Sequence, residues 1–135
     1  MIYEYVKKWI IKALNDIKVA QHEINLPEDE ITTDAICFHC QQAVEKLFKT
    51  YLVSKNVEFE KIHDLELLLK LCSNQDDEFK NLNIGNLTDY SVEVSYPDDF
   101  YIPSIEEAKE CFEIASKTKD FVFKKLSICE KDLKE

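Results

Sequence analysis

Arginine is missing from this sequence: all 17 basic residues are lysine, and 27 acidic residues bring the formal net charge to −10. Such an acidic chain is unsuited to non-specific binding of DNA or of an anionic membrane surface. The missing guanidinium also removes the planar fork that grips a phosphate through two hydrogen bonds, a role that lysine fills only as a point charge.

Turn-forming residues are also scarce, with one glycine and three prolines among 135 residues. Architectures rich in β-turns need many more of both, so the composition favours helices. No apolar run approaches the roughly 18 residues that a transmembrane helix requires. The N-terminal sequence MIYEYVKKWIIKALND lacks the three parts of a signal peptide. Together with an odd count of five cysteines, this predicts reduced thiols and a cytoplasmic location.

Two cysteines flank a histidine in the segment ICFHCQQAVEKLFKTYL, residues 36–52. The pair resembles half of a zinc site, yet a structural zinc needs four ligands and the other three cysteines stand alone. Every cysteine falls on the apolar stripe of its predicted helix, where a thiol packs as a small hydrophobe. We therefore expect no metal site and no cofactor, with the five cysteines, including Cys129, buried in the core.

Hydrophobic periodicity predicts an all-α, up-and-down bundle of about five helices in a single domain covering residues 1–129, followed by a frayed tail at 130–135. The five predicted helices cover residues 2–24, 33–54, 64–73, 76–94 with a break near Gly85, and 104–129. Thr32 or Thr33 can cap the second helix. Ser104 and Glu107 have the spacing of a capping box at the start of the last one.

Polar residues on the second helix form two candidate surfaces. His39 shares one flank with Lys46, and it is either a half-exposed polar residue or part of a site. Opposite the predicted core stripe lies a row that starts with an aromatic residue and is a candidate partner or dimer surface, formed by Phe38, Gln42, Glu45 and Lys49.

Two further segments hold candidate ligand-binding residues. His63 and Asp64 stand at the start of the third helix, where each can act as a cap or as a site residue. The segment SYPDDFYIP contains Tyr96, Asp98 and Tyr101; its carboxylates can hold a magnesium-bound nucleotide, or its rings can simply close the edge of the core. The lone glycine excludes a glycine-rich phosphate loop.

Three segments together resemble the HEPN family, named for a nucleotide-binding domain of higher eukaryotes and prokaryotes: CFHCQQAVEKLFKTYLV, IHDLELLL and YPDDFYIPSIEEA. The resemblance covers most of the chain. It implies a helical bundle that is usually a homodimer, a nucleotide or RNA ligand, and a separately encoded minimal nucleotidyltransferase as partner, as in toxin–antitoxin pairs.

The sequence departs from that family where catalysis is concerned. Ribonuclease members have an arginine four to six residues before a histidine, and this chain has no arginine. Members modified by the nucleotidyltransferase have a tyrosine two residues after the histidine, and Leu65 stands there after His63. The resemblance therefore favours a dimeric module that binds a nucleotide or a partner. The alternative is a metal-independent ribonuclease that uses His63 with a lysine. For the binding module, we expect the nucleotide near His39, Lys46, the His63–Asp64 pair and the loop from Tyr96 to Tyr101.

Overall fold

The computed structural model describes residues 4–90 and 101–133. This part of the chain is an all-α bundle with four α-helices: α1 (Glu4–Ile24), α2 (Thr33–Ser54), α3 (Leu65–Gln75) and α4 (Ile105–Leu126). Four short 3₁₀ helices accompany them, at Glu28–Glu30, Asp77–Asn81, Leu87–Tyr90 and Glu130–Leu133. Within the described ranges, no helix is long and apolar enough to cross a membrane.

Helix α2 is the centre of the bundle and packs against α1, α3 and α4. Its apolar residues are buried on more than one side, and they join those of the other helices in one hydrophobic core. An aromatic cluster closes one end, where Phe79 contacts Phe48, Tyr51 and Phe121 with ring centres 4.5–6.3 Å apart. A central helix of this kind can present functional side chains only where its neighbours leave a gap.

The predicted fourth helix, residues 76–94, is wrong in the part that the structure describes. Asp76 ends α3, since its amide donates to the carbonyl of Cys72, and its side chain then accepts from the amide of Glu78 to start a 3₁₀ helix. The Asn83 side chain accepts from the amide of Gly85, which has a left-handed φ of 54°. Short polar side chains compete with a continuous helix in this way, so two 3₁₀ helices replace it.

The ends of the other helices test the predicted caps. Ser104 and Glu107 form the expected capping box. At α2, the side chain of Thr32 makes no capping hydrogen bond, and the Thr33 hydroxyl instead donates to the carbonyl of Pro103 at 2.6 Å. This contact ties the start of α2 to the residues that precede α4, a connection that local spacing does not reveal.

The C-terminal region also differs from expectation. Ser127 adopts a left-handed φ of 56° and closes α4 through a bond from its amide to the carbonyl of Lys124. Cys129 lies beyond this end and is exposed, contrary to its predicted burial, whereas the other four cysteines are buried as predicted. Residues expected to fray form the 3₁₀ helix Glu130–Leu133, and Leu133 packs against the core.

Candidate functional site

A buried carboxylate joins the two residues predicted to share a flank of α2. Asp16, on α1, is 2.9 Å from His39 Nδ1 through Oδ1 and 2.5 Å from Lys46 Nζ through Oδ2. An ionised carboxylate only accepts hydrogen bonds, so Nδ1 of His39 is the donor. The predicted proximity of His39 and Lys46 is therefore found, and Asp16 connects them to α1.

A second carboxylate, Glu45, lies one residue before Lys46 on α2 and also holds a lysine and a histidine. Its Oε2 is 2.9 Å from Lys49 Nζ and 2.9 Å from His63 Nδ1. Glu45 and Lys49 are each only 5% exposed, whereas the His63 side chain is 70% exposed. The carboxylate thus orients the imidazole of His63, which stands at the surface beside a buried ion pair.

A groove of about 450 Å³ opens beside these clusters, between α1 and α2. Two lysines from each helix line it, together with one carboxylate and two aromatic rings: Tyr5, Lys8, Trp9, Lys12, Glu45, Lys46 and Lys49. The groove therefore gathers four ammonium groups in a chain whose net charge is −10.

The aromatic rings of the groove are held by contacts with one another and with Lys49. Trp9 packs edge-on against Tyr5 and Phe59, with centroid separations of 6.5 and 6.1 Å. Lys49 Nζ is 5.9 Å from the Trp9 ring centre and 5.5 Å from that of Phe59, within the range of a cation–π contact. Tyr5, by contrast, is 61% exposed. The groove thus combines a fixed indole with a ring that is open to a ligand.

The family model of the HEPN domain matches residues 6–126. The chain belongs to the HEPN domain family. No match is found among curated proteins or among solved structures. Membership confirms the resemblance and the helical-bundle fold. All of the residues that line the groove of α1 and α2 except Tyr5 lie within the matched part of this HEPN domain.

The row expected to form a dimer surface has two different environments in this HEPN domain. Phe38 and Gln42 are half-buried and keep accessible surface, with Phe38 edge-on against the ring of His39 at 5.4 Å. Glu45 and Lys49 are instead buried, and the ammonium group of Lys49 lies against the rings of Trp9 and Phe59. The expectation that the row faces away from the core is thus wrong for Glu45 and Lys49, because α1 and the segment before α3 cover that side of α2.

The other predicted ligand residues are dispersed. Asp64 caps α3, accepting from the amides of Glu66 and Leu67. Tyr101 donates its hydroxyl to Glu107 at 2.5 Å in the first turn of α4, and it does not line the groove. Tyr96 and Asp98 lie outside the described residues.

Glu107 is itself a small polar centre. The hydrogen bond from Tyr101, followed by the bond with Ser104 and that from Tyr90, holds the pKa of Glu107 below its usual value. The pKa of Tyr101 is raised by the same contact with Glu107. Burial, and then the hydrogen bond to Glu107, raises the pKa of Tyr90. These groups brace the start of α4.

Sequence reasoning missed most of the groove, namely Tyr5, Lys8, Trp9 and Lys12, and it also missed Asp16, the partner of Lys46. One signal was available: Lys8 and Lys12 are four residues apart on α1 and flank Trp9, so they lie on one face of a helix. Which helix that face meets depends on how α1 packs, and periodicity alone does not specify it. The described residues contain no group of three side chains suited to a metal ion.

Proposed function

We propose that this HEPN domain is a non-catalytic module that binds a nucleotide in the groove between α1 and α2. The observation that carries the proposal is the gathering of four lysines and two aromatic rings around one cavity. Phosphate groups are attracted to clustered ammonium groups. A volume of about 450 Å³ also lies within the range of small-molecule sites.

The four lysines of the groove differ in whether a carboxylate of the protein already pairs with them. Lys46 is paired with Asp16 and Lys49 with Glu45. Lys8 and Lys12 are exposed, and neither forms an ion pair with a described residue. An incoming phosphate would therefore meet Lys8 and Lys12 first, while Lys46 and Lys49 offer ammonium donors whose charge Asp16 and Glu45 already balance.

Aromatic rings supply the second half of nucleotide recognition. Stacking of a base on an aromatic side chain is worth about 1–3 kcal/mol in single-stranded nucleic-acid sites, and the exposed ring of Tyr5 offers a face beside the lysines. Because lysine gives no bidentate fork, we expect a salt-sensitive Kd of roughly micromolar to millimolar, about −8 to −4 kcal/mol.

The partners implied by the family are part of the same proposal. We propose a homodimer that uses the accessible surface of Phe38 and Gln42 on α2, and a separately encoded minimal nucleotidyltransferase as protein partner. The dimer is supported by a large, half-buried aromatic on the central helix, since aromatic residues are enriched in interface cores. The nucleotidyltransferase is supported by family membership alone.

A ribonuclease is the second candidate, and one observation favours it. Glu45 holds Nδ1 of His63 and Nζ of Lys49 on the same oxygen, which leaves Nε2 of an exposed imidazole beside a lysine groove. An oriented histidine of this kind can transfer protons in phosphodiester cleavage. Lys49 is nevertheless buried and paired with Glu45, and a lysine cannot bind a phosphate through two parallel hydrogen bonds as an arginine can. Binding without cleavage is therefore the better-supported function.

An amide-shift titration tests the proposal. ATP, GTP and a short RNA are added separately to ¹⁵N-labelled protein, and at least one of them should shift the amides of residues 5–12 and 45–49. If none of the three shifts these residues at millimolar concentration, the groove does not bind nucleotides and a protein partner becomes the leading function.

A further inference from the structure

Lys8 and Lys12 are the two lysines of the groove that form no ion pair with a described residue. Charged residues recur every four positions along α1, in the order Glu4, Lys8, Lys12 and Asp16. A carboxylate therefore lies about one turn before Lys8 and another about one turn after Lys12. Asp16 is buried against His39 and Lys46, and Glu4 is exposed. Lys8 and Lys12 are therefore the exposed lysines that α1 contributes to the groove, about one helical turn apart.

We propose that the natural ligand of the groove is a free nucleoside di- or triphosphate rather than a nucleoside monophosphate or an RNA strand. This inference rests on the proposed function and specifies its ligand. The phosphate chain lies along Lys8 and Lys12, and the base packs at Tyr5 and Trp9.

The spacing of Lys8 and Lys12 argues for more than one phosphate. Four residues of helix separate Lys8 from Lys12, a rise of about 6 Å. A single phosphate bound tightly at one ammonium group leaves the other less well neutralised, and like charges at this spacing repel. Two or three linked phosphates can neutralise both, with Lys46 at the floor of the groove as an additional contact.

The charge outside the groove argues against a polymer. An RNA strand would leave the groove and continue over the surface of a chain with 27 acidic residues against 17 lysines. Each further phosphate then meets repulsion instead of releasing a counterion from a basic track. A ligand that ends within the groove avoids this repulsion.

Affinity measurements on the whole chain test the ligand class. Kd values for ATP, ADP, AMP and a short oligoadenylate are measured by calorimetry at one ionic strength without Mg²⁺. Trp9 is the only tryptophan, so the single indole N–H signal reports whether each ligand binds at the groove. ATP and ADP should bind at least about tenfold more tightly than AMP or the oligoadenylate, as expected for one additional charge-assisted contact.

Matched variants separate the groove from general electrostatics. Lys8→Gln with Lys12→Gln should weaken ATP binding by at least about tenfold. Lys109→Gln with Lys124→Gln makes the same charge change at two exposed positions of α4 and should change the Kd by less than about twofold. Circular dichroism confirms that both double variants are folded.

The outcomes distinguish this inference from the function on which it rests. AMP within about twofold of ATP, or oligoadenylate tighter than ATP, overturns the ligand class and leaves a nucleotide-binding groove in place. An equal loss in the two double variants overturns the role of Lys8 and Lys12. An indole signal that no ligand shifts overturns both the inference and the proposed function.

Discussion

Lys49 lies between Glu45 and Trp9: its ammonium nitrogen is 2.9 Å from the carboxylate and 5.9 Å from the centre of the indole ring. The lysine is 5% exposed, so its charge is stabilised by these two neighbours and by the Phe59 ring instead of by water. Removing one charge of a buried pair leaves the other charge buried without a partner, which is costly. The pair therefore links the stability of the bundle to the shape of the groove.

Replacing Lys49 with methionine should destabilise the protein by about 3 kcal/mol. The expected loss is at the lower end for a buried pair because His63 and Gln41 still contact Glu45. Adding Glu45→Leu should recover most of the loss, since no buried charge then lacks a partner. Urea denaturation of the two single variants and the double variant gives the coupling energy. Additive losses would show that the two charges do not depend on each other.

Phe38→Glu should weaken the proposed homodimer by about 2 kcal/mol, or roughly thirtyfold in Kd. The change puts a charge in place of a half-buried aromatic at the proposed contact. Light scattering over a micromolar concentration series measures the effect. Leu67→Glu alters an exposed apolar residue on α3 and serves as the control. A wild-type chain that is monomeric throughout the series removes the dimer from the proposal.

Labelled RNA should remain intact when incubated with the protein, because no arginine is present to stabilise the phosphate charge. The decisive comparison is between the wild type and His63→Ala, with Lys109→Gln as a control for copurified nuclease. Cleavage that disappears only in His63→Ala would establish the ribonuclease and assign the acid–base role to His63.

One thiol of the folded protein should react rapidly with a thiol reagent at pH 8, and it should be that of Cys129. Burial raises the pKa of Cys72 to about 12. A hydrogen bond with Cys111, followed by burial, raises that of Cys37, and burial raises that of Cys40. A thiol with a raised pKa holds little of the reactive thiolate. Cys129→Ser should abolish the fast phase, and all five thiols should react after denaturation. Two fast thiols in the native state would contradict the burial of this cluster.

The contribution of Glu107 to stability should disappear in acid. Hydrogen bonds from Tyr101, Ser104 and Tyr90 favour its ionised form and lower its pKa in the folded state. A lowered folded-state pKa gives stability that is present above the ordinary value of 4.5 and is lost as the pH falls through the folded-state value. The melting temperature of the wild type should therefore approach that of Glu107→Gln as the pH falls. A gap that stays constant from pH 7 to the acid range would show that ionisation of Glu107 is not linked to folding.

The bounds of α2 follow from the sequence because a long apolar stripe and a threonine pair mark its length and its start. The capping box of α4 is equally local, since Ser104 and Glu107 bond to each other. The segment after Asp76 is different: its apolar residues have nearly helical spacing, but Asp76, Asn83 and Gly85 favour turns whose outcome depends on packing against α3 and α4. Hydrophobic periodicity therefore predicts which residues of this segment are buried more reliably than it predicts whether the segment is an α-helix or a 3₁₀ helix.

The ionic clusters are harder to predict because each joins residues that are distant in the chain. Asp16 is 30 positions from Lys46, and His63 is 18 positions from Glu45. In sequence, Glu45 and Lys49 look like an ordinary exposed pair at the i, i+4 spacing. In the fold, Trp9 and Phe59 pack against Lys49 and His63 contacts Glu45, and the pair is buried. The composition shows that lysine takes the place of arginine throughout the chain, but it does not show which lysines lie together in the fold.

Asp16 also determines how far α1 can slide along α2. A shift of one turn would move each residue of α1 by about 5.4 Å along the helix axis. Such a shift would separate the Asp16 carboxylate from both His39 and Lys46 and leave an isolated charge against the core. Two polar contacts thus help to fix the register of α1 on α2, and the position of Lys8 and Lys12 across the groove from Lys46 depends on that register.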